Sequence, residues 1–231
     1  MKTIGLIGGM SWESSLEYYR IINETVKELI GGLHSAKSIM YSYDFEEIES
    51  LQHQGKWTKL MDYMIETAKR LENAGAEMIV ICTNTMHKVA EGMQQNLSIP
   101  IIHIADATAR KILEKKFQKV GLLGTKFTME EGFYKDRLKK EYGLEVIIPN
   151  NDERQMVHDI IYKELVLGQL KEHSRKVFID IIQHLAVQGA QGIILGCTEI
   201  PLLIKQEDVD ILLFDTTTIH ARSAVEYALN D

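Results

Sequence analysis

The apolar residues of the chain fall into short continuous runs separated by longer stretches of helical spacing. Runs at 3–7, 78–81, 119–123, 193–196 and 211–215, with the more mixed stretches 38–44, 99–104 and 144–148, have strand length and end in turn-forming or polar residues. Between them the apolar spacing lengthens to three and four residues, as at Leu60, Met64, Ala68 and Leu71, which predicts helices over 12–29, 45–51, 57–73, 106–116, 152–167, 174–188 and 218–229. Strands alternating with helices imply parallel sheets with right-handed crossovers, the α/β class.

The pattern occurs twice. Residues 74–84 lie beside 188–198 without a gap, and Gly75 and Gly189 fix the offset at 114 (189 − 75). At that offset Cys197 aligns with Thr83 (197 − 83 = 114), whereas Cys82 aligns with Gly196. The opening strand and its glycine turn recur at an offset of 116, with Gly121 and Gly124 in the places of Gly5 and Gly8 (121 − 5 and 124 − 8). These repeats predict two similar doubly wound parallel-sheet lobes related by a pseudo-two-fold axis. Ligands bind such sheets at the strand C-termini, so the expected site is the cleft between the lobes, with Thr83 and Cys197 facing each other. The expected division is 1–98 plus 211–231 for the first lobe and 99–210 for the second.

Composition narrows the partners. A net charge of −7 with no basic cluster argues against nucleic acid, whose binding depends on Lys and Arg neutralising phosphates. No apolar run has the length needed to span a bilayer, and the N-terminus lacks the long apolar region of a secretory signal. Two cysteines without a disulfide framework fit a reducing, cytoplasmic setting in which a thiol stays available for chemistry. No Cys/His spacing is of the zinc kind, so no metal is expected.

The candidate chemistry sits at the strand ends. A facing pair of proton-handling groups suits inversion of a stereocentre, one group removing the Cα proton and the other returning a proton from the opposite face. Of the two cysteines, Cys197 is the candidate base, and a following helix N-terminus is expected to lower its pKa. Cys82 is displaced by one residue; on a strand that reverses the side-chain direction, so Cys82 reads as a buried small hydrophobe unless a bulge re-aims it. Thr83 is a weak acid, suited to donating a proton directly or through a water. Asn84, Thr85 and Thr198 are the natural donors to a substrate carboxylate, whose preorganised binding would stabilise charge developing on the carbon. The turn at Gly8 and Gly9 offers backbone N–H groups to an anion, although close packing explains such glycines equally. His87, four residues beyond Thr83, reads equally as a residue that tunes the site or as a hydrogen-bonded structural histidine.

Thr83-Asn84-Thr85-Met86-His87, Gly196-Cys197-Thr198-Glu199 and Gly8-Gly9-Met10-Ser11 together resemble the cofactor-independent aspartate/glutamate racemases, over nearly the whole chain. The departure is at the first motif, where Thr83 holds the place of the family's usual cysteine. The resemblance implies an isomerase that racemises aspartate or glutamate with no pyridoxal phosphate or other cofactor, the L form being favoured, and a homodimer. It implies Thr83 and Cys197 as catalytic residues, Met10 and Gln52 lining the substrate end, and Glu199 holding the substrate ammonium. Two other readings stand beside it: a related isomerase or decarboxylase of small dicarboxylic acids, and a non-catalytic two-lobed small-molecule-binding protein in which Thr83 marks lost catalysis.

Overall fold

The apolar runs form two parallel sheets in the computed structural model, which describes residues 1–230. One sheet lies in a unit made of Met1–Ile104 and the chain from His220 onward, the other in Ala105–Ile219.

In the first unit the elements are β1 (Ile4–Gly8), α1 (Trp12–Ile30), β2 (Ser38–Ser42), α2 (Phe45–His53), α3 (Trp57–Asn73), β3 (Met78–Ile81), a 3₁₀ turn (Thr85–Val89) and α4 (Ala90–Gln94). Its strand order is β2-β1-β3. The second unit holds α5 (Ile104–Glu114) apart from its first residue, then β4 (Lys119–Gly124), α6 (Lys126–Glu130), α7 (Gly132–Tyr142), β5 (Glu145–Ile147), α8 (Asn151–Lys163), α9 (Glu172–Val187), β6 (Gly192–Gly196), α10 (Ile200–Leu203) and β7 (Leu212–Asp215), in the order β5-β4-β6-β7. The last helix, α11 (Thr216–Leu229), starts in the second unit and ends in the first.

Strand side chains alternate between faces, and the first sheet is apolar on both. Ile7, Ile79 and Ile81 pack with Ile48 of α2 and Leu60, Met64 and Ala68 of α3. Ile4, Leu6, Met78, Val80 and Cys82 pack on the other side with Tyr18, Ile22 and Val26 of α1 and with Ala221, Ala224 and Val225 of α11. Cover on both faces is what continuous apolar runs require.

The repeat is visible in the ladders. Gly5 stands opposite Ile39 and Ile79 in the first sheet, and Gly121 opposite Ile147 and Ile193 in the second. Strands β1, β2 and β3 thus have the same parts as β4, β5 and β6, and their offsets of 116 and 114 (121 − 5 and 193 − 79) are those of the sequence alignment.

Three expectations differ from the structure. The stretch 99–104 is not a strand: it makes a single bridge, Ile79 with Ile101, because Pro100 has no N–H to extend a ladder and the chain enters α5 at Ile104. The unit division also shifts, since β7 pairs with β6 and draws 211–219 into the second unit, while 99–104 stay with the first. The helix expected over 152–167 stops at Lys163 and continues as a 3₁₀ turn (Leu165–Leu167) closed by Gly168. Helices α6 and α7 carry too few buried positions, Thr128, Met129, Tyr134 and Leu138, to have shown a period in the sequence.

Candidate active site

Register places the two candidate proton carriers. Thr83 lies four residues past Ile79 and Cys197 four past Ile193, and those two isoleucines hold equivalent ladder positions opposite Gly5 and Gly121. Thr83 is therefore the second residue beyond β3, which ends at Ile81 with Cys82 between, and Cys197 the first beyond β6, which closes at Gly196. Thr83 is half-buried and Cys197 is 7% exposed.

Cys82 turns the other way. It is wholly buried in the apolar cluster between the first sheet and helices α1 and α11, with its thiol 3.9 Å from the Val80 carbonyl. Burial pushes its pKa far above the ordinary thiol value. At the equivalent place in the second unit stands Gly196, where a Cβ would come within 2.9 Å of the Leu123 carbonyl oxygen and 3.2 Å of Thr128 Cγ2. That position faces the interior in both units, and helix α6 leaves no room for a side chain in the second.

The chain after β3 is held by its backbone. The Cys82 amide donates to the Ile7 carbonyl at 2.9 Å, and the Ser14 hydroxyl donates to the Cys82 carbonyl at 2.8 Å. His87 is buried; its Nδ1 meets the Thr83 carbonyl at 2.8 Å, and the Ile104 amide donates to its Nε2 at 3.2 Å. Asn84 and Thr85, both buried, start the 3₁₀ turn, and the Asn84 carbonyl accepts from the His87 amide at 3.1 Å. Met10 packs in the cluster of Ile7, Ile81 and Met86, and the Gln52 amide of α2 donates to the Met86 sulfur at 3.2 Å. Five of the expected site residues, Met10, Gln52, Thr83, Asn84 and Thr85, thus belong to the first unit.

The glycine turn after β1 is built for close packing. Gly9 has φ +81°, and a Cβ there would lie 2.2 Å from the Tyr43 carbonyl oxygen. Its N–H is already spent on the Ser15 hydroxyl at 2.8 Å, so the expected anion cradle lacks that donor. Ser15 and Ser14, which organise this corner, carried no motif in the sequence.

Cys197, Thr198 and Glu199 form one hydrogen-bonded group in the second unit. The Cys197 thiol donates to Glu199 Oε2 at 2.9 Å, and the Thr198 hydroxyl donates to the same oxygen at 2.8 Å. The expectation of a lowered thiol pKa is overturned. Burial, then the charge of Glu199 and its hydrogen bond, hold the thiol well above its ordinary value, outweighing the N–H groups of Glu199 and Thr198 that favour the thiolate. The helix that follows, α10, spans only four residues. Glu199 is itself buried, with one carboxylate oxygen committed to its neighbours.

The same sheet end carries further residues that belong to none of the sequence motifs. Thr125 follows β4 and caps α6, accepting from the Thr128 amide, in the place that Gly9 has after β1 (125 − 9 = 116). Thr216 follows β7 and donates to the Leu195 carbonyl at 2.8 Å. The next hydroxyl, Thr217 Oγ1, is buried without a hydrogen-bond partner among the described residues. The offset of 116 pointed to Thr125; no signal marked Thr217.

Comparisons with known proteins place the chain among racemases of one family. The family model described as Asp/Glu/Hydantoin racemase matches residues 7–224. A Yersinia pestis protein described as a candidate Asp/Glu racemase has a solved structure that superposes with a TM-score of 0.94 at 53% identity, covering 100% of both chains. An aspartate racemase homologue from Pyrococcus horikoshii OT3 gives 0.87 at 40% identity, again over 100% of both. The broad specificity amino-acid racemase RacX of Bacillus subtilis (strain 168) is 25% identical over 227 residues, 96% of each chain.

Proposed function

Because the chain belongs to the Asp/Glu/Hydantoin racemase family, we propose that it inverts Cα of aspartate and glutamate without pyridoxal phosphate, with Cys197 as the base and Thr83 as the opposing proton donor. The observation that carries this reading is the shared register of those two residues, four positions past Ile79 and Ile193.

Cys197 rests as a thiol whose proton points at Glu199. Passing that proton to the carboxylate gives thiolate and carboxylic acid with no change in net charge, a step that burial penalises far less than release of the proton to water. The thiolate then takes the Cα proton. Donors to the substrate carboxylate, assigned to Asn84, Thr85 and Thr198, stabilise the carbanion as it forms. Thr83 returns a proton to the other face of Cα, and Glu199 gives its proton back to the threonine oxygen through solvent, which restores the resting state. Glu199 thus stands behind the base in this reading, in place of the ammonium-binding role expected from the motif. Met10 and Gln52 are assigned to the side-chain end of the substrate. The Gln52 amide is held only by a thioether, a weak acceptor that a ligand oxygen displaces readily. A cytoplasmic homodimer favouring the L form completes the proposal, on resemblance and cysteine usage alone.

The test is deuterium incorporation at Cα in D₂O across a panel of L- and D-amino acids, kept broad in view of the specificity named for the Bacillus relative. A racemase exchanges and inverts aspartate or glutamate, a binding protein does neither, and a dicarboxylic-acid isomerase or decarboxylase consumes a different acid. Cys197→Ser is expected to lower exchange by roughly 10²–10⁴-fold, and Cys82→Ala to leave it within about twofold, as befits a core position. Full exchange in Cys197→Ser would remove the proposed base.

A further inference from the structure

We infer that His87 is a positioning residue for Thr83, locked in one neutral tautomer; the inference rests on Thr83 being the proton donor proposed above. A carbonyl oxygen has no hydrogen to give, so the 2.8 Å contact to Thr83 requires the proton on Nδ1. A backbone amide can only donate, so the 3.2 Å contact from Ile104 requires the lone pair on Nε2. Both ring nitrogens are committed in these two bonds, and His87 is 2% exposed. The ring cannot carry protons for the reaction without breaking one of them, which excludes a direct acid–base role.

What the ring does is tie two segments together. On one side it holds the peptide that fixes the Thr83 backbone, and with it the place of the hydroxyl. On the other it holds the first residue of α5. The anchorage is itself braced. His87 stands edge-on to His103, with centroids 4.7 Å apart, and to His220, 5.5 Å away. By the same reasoning His220 has the opposite tautomer: its Nε2–H donates to the Ile102 carbonyl at 2.6 Å, and its Nδ1 accepts from the Tyr18 hydroxyl at 2.8 Å. Two neutral histidines thus grip Ile102 and Ile104 on either side of His103. A half-buried threonine at the end of a strand gains from such support, because a misplaced reacting group costs far more in rate than in stability.

Two substitutions separate the bonds. In His87→Asn the side-chain nitrogen reaches the Nδ1 position and keeps the bond to Thr83; in His87→Gln the longer amide reaches the Nε2 position and keeps only Ile104. Starting from the enantiomer that Cys197 deprotonates, His87→Gln is expected to lower inversion tenfold or more, while deuterium exchange without inversion stays within twofold of wild type. The carbanion is then reprotonated from the side it came from. His87→Asn is expected to keep inversion within threefold. Equal inversion in all three proteins, or a proportionate fall of exchange and inversion in a folded His87→Gln, overturns the inference. If wild type neither exchanges nor inverts any amino acid, the racemase reading fails by itself. The ring is then judged by ¹⁵N NMR of the wild-type histidines, where protonation at Nε2 overturns the assignment, and by the Thr83 carbonyl ¹³C shift, which should move in His87→Gln and not in His87→Asn. The wild-type ring spectrum also decides the matter if His87→Gln fails to fold.

Discussion

Burial and Glu199 together hold the Cys197 thiol in its protonated form. Burial and the carboxylate both raise the thiol above its ordinary value of 9.0, so at rest it keeps its proton through neutral pH and releases it to water only on the alkaline side. Replacing Glu199 by Gln removes the negative charge and leaves the burial. In a Cys82→Ala background, where Cys197 is the one remaining thiol, the thiolate absorbance of Glu199→Gln should therefore rise at lower pH than that of its parent. A titration that stays put or moves upward means that the carboxylate does not govern the thiol. Little of this could be read in advance. The alternation of side chains along a strand, together with the alignment to Gly196, was enough to turn Cys82 inward. Past the end of β6 no such alternation holds, so the direction of Glu199, and with it the carboxylate's part in the upward pKa shift, depends on a turn that the sequence does not specify.

At the scale of elements, the strands with continuous apolar runs were legible because burial on both faces leaves a run with no polar position. Helix α3 was legible because its stripe at Leu60, Met64, Ala68 and Leu71 is buried throughout. The stretch 99–104 has the same apolar look and forms only a bridge; its backbone is taken by Ile79 on one side and by the start of α5 on the other. Helix α11 is the counter-case, a weakly amphipathic sequence that is essential to packing. Ala221, Ala224, Val225 and Ala228 present small side chains to β1 and β3, and Val225 is wholly buried. A carboxylate at that position has no partner in the apolar cluster. Val225→Asp should cost about 3–5 kcal/mol, seen as a lower denaturation midpoint, with amide protection lost from β1 and β3 before β4 and β6. A loss spread evenly over both sheets would show that α11 does not serve the first unit in particular.

Over the whole molecule, two strand ends of equivalent register carry unlike groups, Thr83 and Cys197. Enantiomers have equal free energy in water, so kcat/KM must be the same in both directions; under the proposed mechanism, the inequality of a hydroxyl and a thiol can show only in kcat and KM separately. We expect kcat from the two enantiomers to differ, and Thr83→Cys, which puts a thiol at both equivalent positions, to bring their ratio towards one. A ratio that Thr83→Cys leaves unchanged would mean that the hydroxyl is not what makes the two directions unequal.

The discontinuity of the first unit bears on the order in which the protein is made. Translation delivers β1 to β3 early, yet the face of that sheet lined by Ile4, Leu6 and Val80 has only α1 over it until α11 leaves the ribosome. The half begun first is finished last, and a nascent chain stalled before His220 holds its later-made half complete while its earlier one still waits for a lid.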